Sequence, residues 1–163
     1  MFVLLRELQR LRRQIGLRPP GRSGSLAVRH VDAGSCNGCE HELGACFGPH
    51  YDAGRFGLSV AASPRHADAL LVSGTVTTRM ASPLRTAYES MPEPRWVIAL
   101  GDCALGLTFL GDETELAGPV ETLLPVDVFI PGCPPHPEAI AKGLLEAMDQ
   151  SRGAKLGRRR LHL

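Results

Sequence analysis

Trp96-Val97-Ile98-Ala99-Leu100, closed at once by Gly101-Asp102-Cys103, is the stretch whose reading decides the fold. Its five apolar residues do not alternate with polar ones, which is the signature of a short strand covered on both faces. The same arrangement recurs on either side of it. Val126-Asp127-Val128-Phe129-Ile130 ends in Pro131-Gly132-Cys133, and Ala69-Leu70-Leu71-Val72 ends in Ser73-Gly74-Thr75. Further upstream, Leu26-Ala27-Val28-Arg29-His30-Val31 runs into Asp32-Ala33-Gly34, and residues 56–61 form one more candidate strand. Helical segments are expected between these strands, from Gly38–Cys39 to about Gly48-Pro49, from Pro83 to about Met91, and from Pro137 to about Met148. Short buried strands separated by helices predict an α/β domain, with a parallel sheet covered by helices on both faces. Such sheets bind ligands outside the carboxyl ends of their strands, where the crossover direction changes.

The composition agrees with one ordinary domain. The chain has 163 residues, of which 44% are hydrophobic and 21% charged, so neither a disordered tail nor a membrane bundle is expected. Its 18 Gly and 13 Pro, set against only 5% aromatics, point to strands that end in tight, functional turns. Met1-Phe2-Val3-Leu4-Leu5 meets charge immediately, which leaves no signal-peptide core, and a cytoplasmic location is expected.

The net charge of +1 hides a strong division. Residues 1–30 carry seven Arg and one Glu, and residues 151–163 carry five basic side chains and no acid. The 120 residues between them carry six basic and sixteen acidic side chains. Leu4, Leu8, Leu11 and Ile15 share one helical face, with Arg6, Arg10 and Arg13 on another. A helix there reaches about 22 Å, enough to lie on a membrane, on a partner or on its own domain but not to cross a bilayer. The expected organisation is a basic amphipathic helix and linker over 1–25, an α/β domain over 26–150, and a basic tail over 151–163. No interleaving of basic and aromatic residues supports nucleic-acid binding.

Four of the five cysteines fall in the turns where such a sheet holds its ligand. Cys36 and Cys39 form a C-x-x-C pair in the first turn, whereas Cys103 and Cys133 follow two later strands. Thiolates converging from three loops suit an iron–sulfur cluster or zinc. Zinc sites usually pair two C-x-x-C knuckles, and here two of the donors stand alone, so the cluster reading leads. Gly34, Gly38, Gly101 and Gly132 allow the backbone close to a bulky group, and Pro134 stiffens the last loop. Cys46, inside the first helix, reads as a core residue. No nucleophile elbow, phosphate-binding loop or dinucleotide fingerprint is present, and the six His show no H-x-x-x-H spacing. His41 and His136 lie near the ligand loops and read as polar surface or supporting residues.

The stretches Gly34-Ser35-Cys36-Asn37-Gly38-Cys39-Glu40, Ser73-Gly74-Thr75-Val76-Thr77, Met91-Pro92-Glu93-Pro94-Arg95-Trp96-Val97-Ile98 and Pro131-Gly132-Cys133-Pro134-Pro135 resemble the 20-kDa subunit family of respiratory complex I, which also contains the small subunits of [NiFe] hydrogenases. The resemblance implies a flavodoxin-like fold with one [4Fe–4S] cluster at the carboxyl ends of the strands. Cys36, Cys39, Cys103 and Cys133 would be its ligands, with Ser35 in the first ligand loop and the Gly74-Thr75-Val76-Thr77 loop as a wall beside a large subunit.

Complex I subunits carry two adjacent cysteines at the first site. Cys36-Asn37-Gly38-Cys39 instead resembles the small subunits of energy-converting hydrogenases and formate hydrogenlyase. The implied function is electron transfer between a [NiFe] large subunit and a ferredoxin-like multi-cluster subunit, beside membrane-arm subunits on the inner face of the cell membrane. Glu40 and Glu42 are candidates for a proton relay at the subunit interface or, more plainly, for acids at a helix start. The competing readings are a complex I-like oxidoreductase with quinone at the interface and, more remotely, a zinc-stapled assembly module.

Overall fold

The computed structural model describes residues 24–107 and 112–159. In chain order the strands are Leu26–Asp32 (β1), Leu58–Val60 (β2), Ala69–Ser73 (β3), Val76–Thr77 (β4), Trp96–Leu100 (β5), Leu116–Gly118 (β6) and Val128–Ile130 (β7). The helices are Gly38–Phe47 (α1), Thr78–Glu89 (α2) and Pro137–Arg159 (α3). Five strands form one sheet in the order β2-β1-β3-β5-β7, every neighbouring pair parallel. Counted within that sheet the order is 2-1-3-4-5, the doubly wound, flavodoxin-like arrangement, whose switch point lies between β1 and β3. β4 and β6 pair separately as a short antiparallel ribbon.

Side chains alternate across the strands, and each face of the sheet has its own core. On one face Leu26 and Val28 of β1, Leu71 of β3, Ile98 and Leu100 of β5, and Ile130 of β7 pack with Leu43 and Cys46 of α1 and with Ile140, Leu144 and Met148 of α3. On the other, Leu70, Val72, Val97 and Ala99 pack with Leu84 of α2, Met91 and Val120. The central strand β3 is buried along its whole length. Cys46 is fully buried in the first of these cores, where the sequence put it.

Several boundaries depart from the sequence reading, each for a local reason. α2 starts five residues before Pro83, because the Thr77 hydroxyl caps it by accepting from the Met80 amide at 3.3 Å. Pro83 therefore sits inside the helix, not at its start. β2 is shorter than residues 56–61, since Ala53–Phe56 coils into a 3₁₀ turn ahead of it. β7 begins at Val128, because Asp127 clasps β5: its amide donates to the Val97 carbonyl at 2.9 Å and its carboxylate accepts from the Val97 amide at 2.8 Å. α3 continues past Met148 to Arg159, so residues 151–159, read above as tail, have a helical backbone. That stretch has no Pro to stop it, and Ala154, Lys155, Leu156 and the arginines favour helix. The amphipathic segment expected within residues 1–23 lies outside the described residues.

Leu71 is fully buried at the centre of β3. Leu71→Ala is expected to destabilise the fold by about 2–5 kcal/mol, read as a lower urea midpoint than that of the parent chain.

Candidate metal centre

Because the sheet is parallel, the turns that leave β1, β3, β5 and β7 open on the same edge. They enclose a cavity lined by Ser35, Cys36, Gly38, Cys39, Gly74, Asp102, Cys103, Gly132, Cys133 and Pro134. All four cysteines singled out in the sequence are therefore brought together at the switch-point end of the sheet, and none of them is in a disulfide. Cys103 is buried, Cys39 half-buried, and Cys36 and Cys133 form the exposed rim. Gly34, Thr75 and Gly101 stand immediately behind the lining.

The turns approach one another more closely than side chains permit. Gly101 has φ +86°, and a Cβ there would lie 2.6 Å from the Cys39 Sγ. Gly74 has φ +78°, and its Cβ would run into the Ser35 amide nitrogen. Neither backbone suits a residue with a side chain. Between the first two cysteines, Asn37 takes the left-handed conformation at φ 67°, which Asn tolerates better than most residues. The turn is held by the Asp32 carboxylate, which accepts from the amides of Gly34 (2.9 Å) and Ser35 (2.7 Å), and by the Ser35 hydroxyl, which accepts from the Asn37 amide at 3.1 Å. The Thr75 side chain is fully buried, and its hydroxyl has no hydrogen-bond partner among the described residues.

Electrostatics report the same crowding. Burial, followed by the charges of Glu40, Cys103, Cys36 and Cys133, pushes the Cys39 thiol up to about 12. Desolvation against the cavity wall, then Cys103, Asp102 and Cys36, raises the Cys133 thiol as well. Cys39 and Cys133 therefore resist ionising unless a cationic group sits beside them. A soft, all-sulfur donor set from separate loops, around a cavity and not a single point, fits an iron–sulfur cluster. Cys46 differs: burial alone raises its thiol, to about 11, and it lies in the core away from the cavity.

Of the two acids proposed from sequence, the structure joins Glu40 to the site and not Glu42. The Ser35 hydroxyl donates to Glu40 Oε2 at 2.8 Å, and the Ser73 hydroxyl donates to Glu40 Oε1. With Ser73 so engaged, its remaining partner His30 Nε2, 2.8 Å away, is the donor to Ser73 Oγ. The same ring nitrogen lies 3.3 Å from Glu40 Oε1. Burial lowers the His30 pKa, against the opposing pull of Glu40 and Asp32. Glu42 takes no part in these contacts and sits partly buried further along α1. His41 and His136 are both exposed, and the Tyr51 hydroxyl lies 3.4 Å from His136 Nε2.

His30, Ser73 and Asp102 were not identified as site residues from the sequence. His30 had a legible signal: it continues the inward-facing series of Leu26 and Val28, where a polar residue needs a partner. Asp102 tethers the Cys103 turn to the Cys133 turn, its carboxylate accepting from the Gly132 amide at 2.6 Å.

An α/β sheet carrying a cysteine-lined cavity at its switch point defines a class of oxidoreductase subunit, and the comparisons with known proteins agree. The NADH ubiquinone oxidoreductase, 20 Kd subunit, family matches residues 36–147, and the chain belongs to that family. It is 46% identical over 123 residues to a probable membrane-bound hydrogenase subunit of Pyrococcus furiosus, covering 76% of this chain and 74% of that one. It is 45% identical over 135 residues to formate hydrogenlyase subunit 7 of Escherichia coli, covering 79% of this chain but only 53% of the relative. It is also 49% identical over 108 residues to an NADH-quinone oxidoreductase subunit of Clostridium beijerinckii, covering 66% of this chain and 64% of that one. Among solved structures, a chain of an archaeal membrane-bound sulfane sulfur reductase superposes with a TM-score of 0.68 at 32% identity, over 81% of this chain and 73% of the other. A chain of an NAD+-reducing [NiFe]-hydrogenase shares the fold, with a TM-score of 0.60 at 18% identity over 77% of this chain and 92% of the other. No helix among the described residues is long and apolar enough to cross a membrane.

The placement of Cys46 gives a direct check. At pH 8, iodoacetamide should leave Cys46 unmodified in the folded protein and label it in urea. Because the Cys46 side chain is fully buried, its labelling in the folded protein requires local opening and should lag far behind labelling in urea. Peptide mass mapping reads both effects.

Proposed function

We propose that this chain is the electron-transfer subunit of a membrane-associated hydrogenase or formate hydrogenlyase-type complex. In this reading it carries one [4Fe–4S] cluster on Cys36, Cys39, Cys103 and Cys133. The observation that carries the proposal is the convergence of those four thiols on one cavity at the switch point of the sheet. When bound, the cluster supplies one-electron chemistry; the chain supplies position, dielectric and hydrogen bonding. Cys39 and Cys103 anchor the buried side, whereas Cys36 and Cys133 sit at the rim, where a large catalytic subunit would seat. On the far side of the path, a ferredoxin-like multi-cluster subunit is the expected partner.

Glu40 is the better placed of the two acids for a proton relay. Its carboxylate is held between Ser35, Ser73 and His30, at the edge of the first ligand turn. Held there, it can accept a proton at one oxygen while the other keeps its hydroxyl donor. The basic segments at 1–25 and 151–163 would lie against membrane-arm subunits or an anionic membrane surface.

A second reading keeps the fold and the cluster but replaces hydrogen turnover with quinone reduction. Identity to the Clostridium beijerinckii NADH-quinone oxidoreductase subunit favours it, whereas the Cys36-Asn37-Gly38-Cys39 spacing favours the hydrogenase reading. Anaerobic purification of the complex through a tag on this chain, followed by iron, nickel and zinc analysis, separates the two. Iron with stoichiometric nickel is expected. Iron without nickel, with the large subunit present, would move the assignment to quinone reduction.

The close approach behind Cys39 makes a separate test. Gly101→Ala should lower the iron held by this chain, because the added methyl displaces the Cys39 sulfur. Gly44→Ala on α1, whose Cβ would meet nothing within 4 Å, should leave the iron unchanged.

A further inference from the structure

The two ligand turns that each contribute a single cysteine are held together by one residue. Asp102 precedes Cys103, and Gly132 precedes Cys133. The Asp102 amide donates to the Gly132 carbonyl at 2.9 Å, and the Gly132 amide donates back to Asp102 Oδ1 at 2.6 Å. One residue earlier, the Gly101 amide donates to the Ile130 carbonyl at 2.8 Å, continuing the β5–β7 ladder into the turns. The Asp102 carbonyl also accepts from the Leu107 amide at 2.9 Å, which closes the loop after Cys103. Asp102 is thus the last rung between β5 and β7, and half of that rung is made by a side chain. It also lines the cavity itself, between the cysteines it tethers.

This position gives the carboxylate two separable properties. As an acceptor it fixes the spacing of Cys103 and Cys133, which no local sequence contact could fix across a separation of 30 positions. As an anion it adds negative charge to the wall of a site whose occupant changes charge by one with each electron. Negative charge beside a redox centre stabilises the oxidised form and lowers the reduction potential. A neutral side chain with the same acceptor atom would serve the first role and not the second.

We propose that Asp102 is both a positioning residue for the Cys103–Cys133 half of the site and a determinant of its reduction potential, holding that potential low by its charge. The inference rests on the cluster reading above. It makes the chain suited to partners at the low-potential end of an electron path, and it assigns that property to one carboxylate.

Two variants separate the roles, each made in the tagged complex and purified anaerobically. Asp102→Asn keeps an Oδ1 acceptor and removes the charge. It should retain parental iron content, while an electron paramagnetic resonance redox titration shows the cluster midpoint moved to higher potential. Asp102→Ala removes acceptor and charge together. It should lose iron faster than the parent or the Asn variant during incubation with a chelator, and regaining the parental rate in the Asn variant marks the acceptor as the cause. An unchanged midpoint in Asp102→Asn overturns the potential-setting role, and parental chelator resistance in Asp102→Ala overturns the positioning role. A parent complex with zinc and no iron on this chain overturns the cluster reading and the inference with it, an outcome distinct from either.

Discussion

Everything at this site depends on how closely four backbone turns pack at one edge of a parallel sheet. A parallel sheet sends all its strands out on the same side, but that alone leaves the following loops as far apart as the strands and their side chains demand. Here the turns close further because the contact positions carry no side chain. A methyl group at Gly101 would stand 2.6 Å from the Cys39 sulfur, and one at Gly74 would strike the backbone of the Gly34–Ser35 turn. The same closeness lets Asp102 reach Gly132 and lets Ser73, at the end of β3, reach Glu40 on α1. The convergence of the cysteines is a consequence of the sheet's geometry as much as of their own positions in the chain.

The second constraint is charge. The body of the chain between residues 31 and 150 carries sixteen acids and six bases, and the cavity adds four thiols with Asp102 on the wall and Glu40 beside it. Burial and neighbouring charge make Cys39 and Cys133 costly to ionise in the protein alone. A cationic metal core among the thiolates would reverse that cost, and folding of the turns and loading of the site would then support each other. Glu40 avoids adding an unsatisfied charge because the Ser35 and Ser73 hydroxyls each donate to one of its oxygens. Outside the cavity, the two cores on either face of the sheet hold these turns without taking part in the chemistry.

Much of this was legible in the sequence. β3 and β5 rest on unbroken apolar runs that end in glycine-bearing turns, and β5 was read at Trp96–Leu100, the bounds the structure gives it. The four cysteines were legible because they follow strands, and Cys46 because it does not. What escaped was tertiary in origin. Thr77 as a cap overrode Pro83 as a helix start, and the β4–β6 ribbon joins two- and three-residue segments about 40 positions apart, too short to carry a pattern. Asp102 looked like an ordinary turn residue, since its partner Gly132 lies on another strand's loop. Choosing between Glu40 and Glu42 required knowing which face of α1 meets Ser73, which depends on how the helix packs.

The central claim is that Cys36, Cys39, Cys103 and Cys133 hold one iron–sulfur cluster and that Cys46 has no part in it. The most direct measurement is low-temperature electron paramagnetic resonance on the reduced, assembled complex, comparing Cys103→Ser with Cys46→Ser against the parent. One cluster signal is expected to disappear in Cys103→Ser, while the spectrum of Cys46→Ser matches the parent's. A full set of signals in Cys103→Ser, or the loss of one in Cys46→Ser, would contradict the claim.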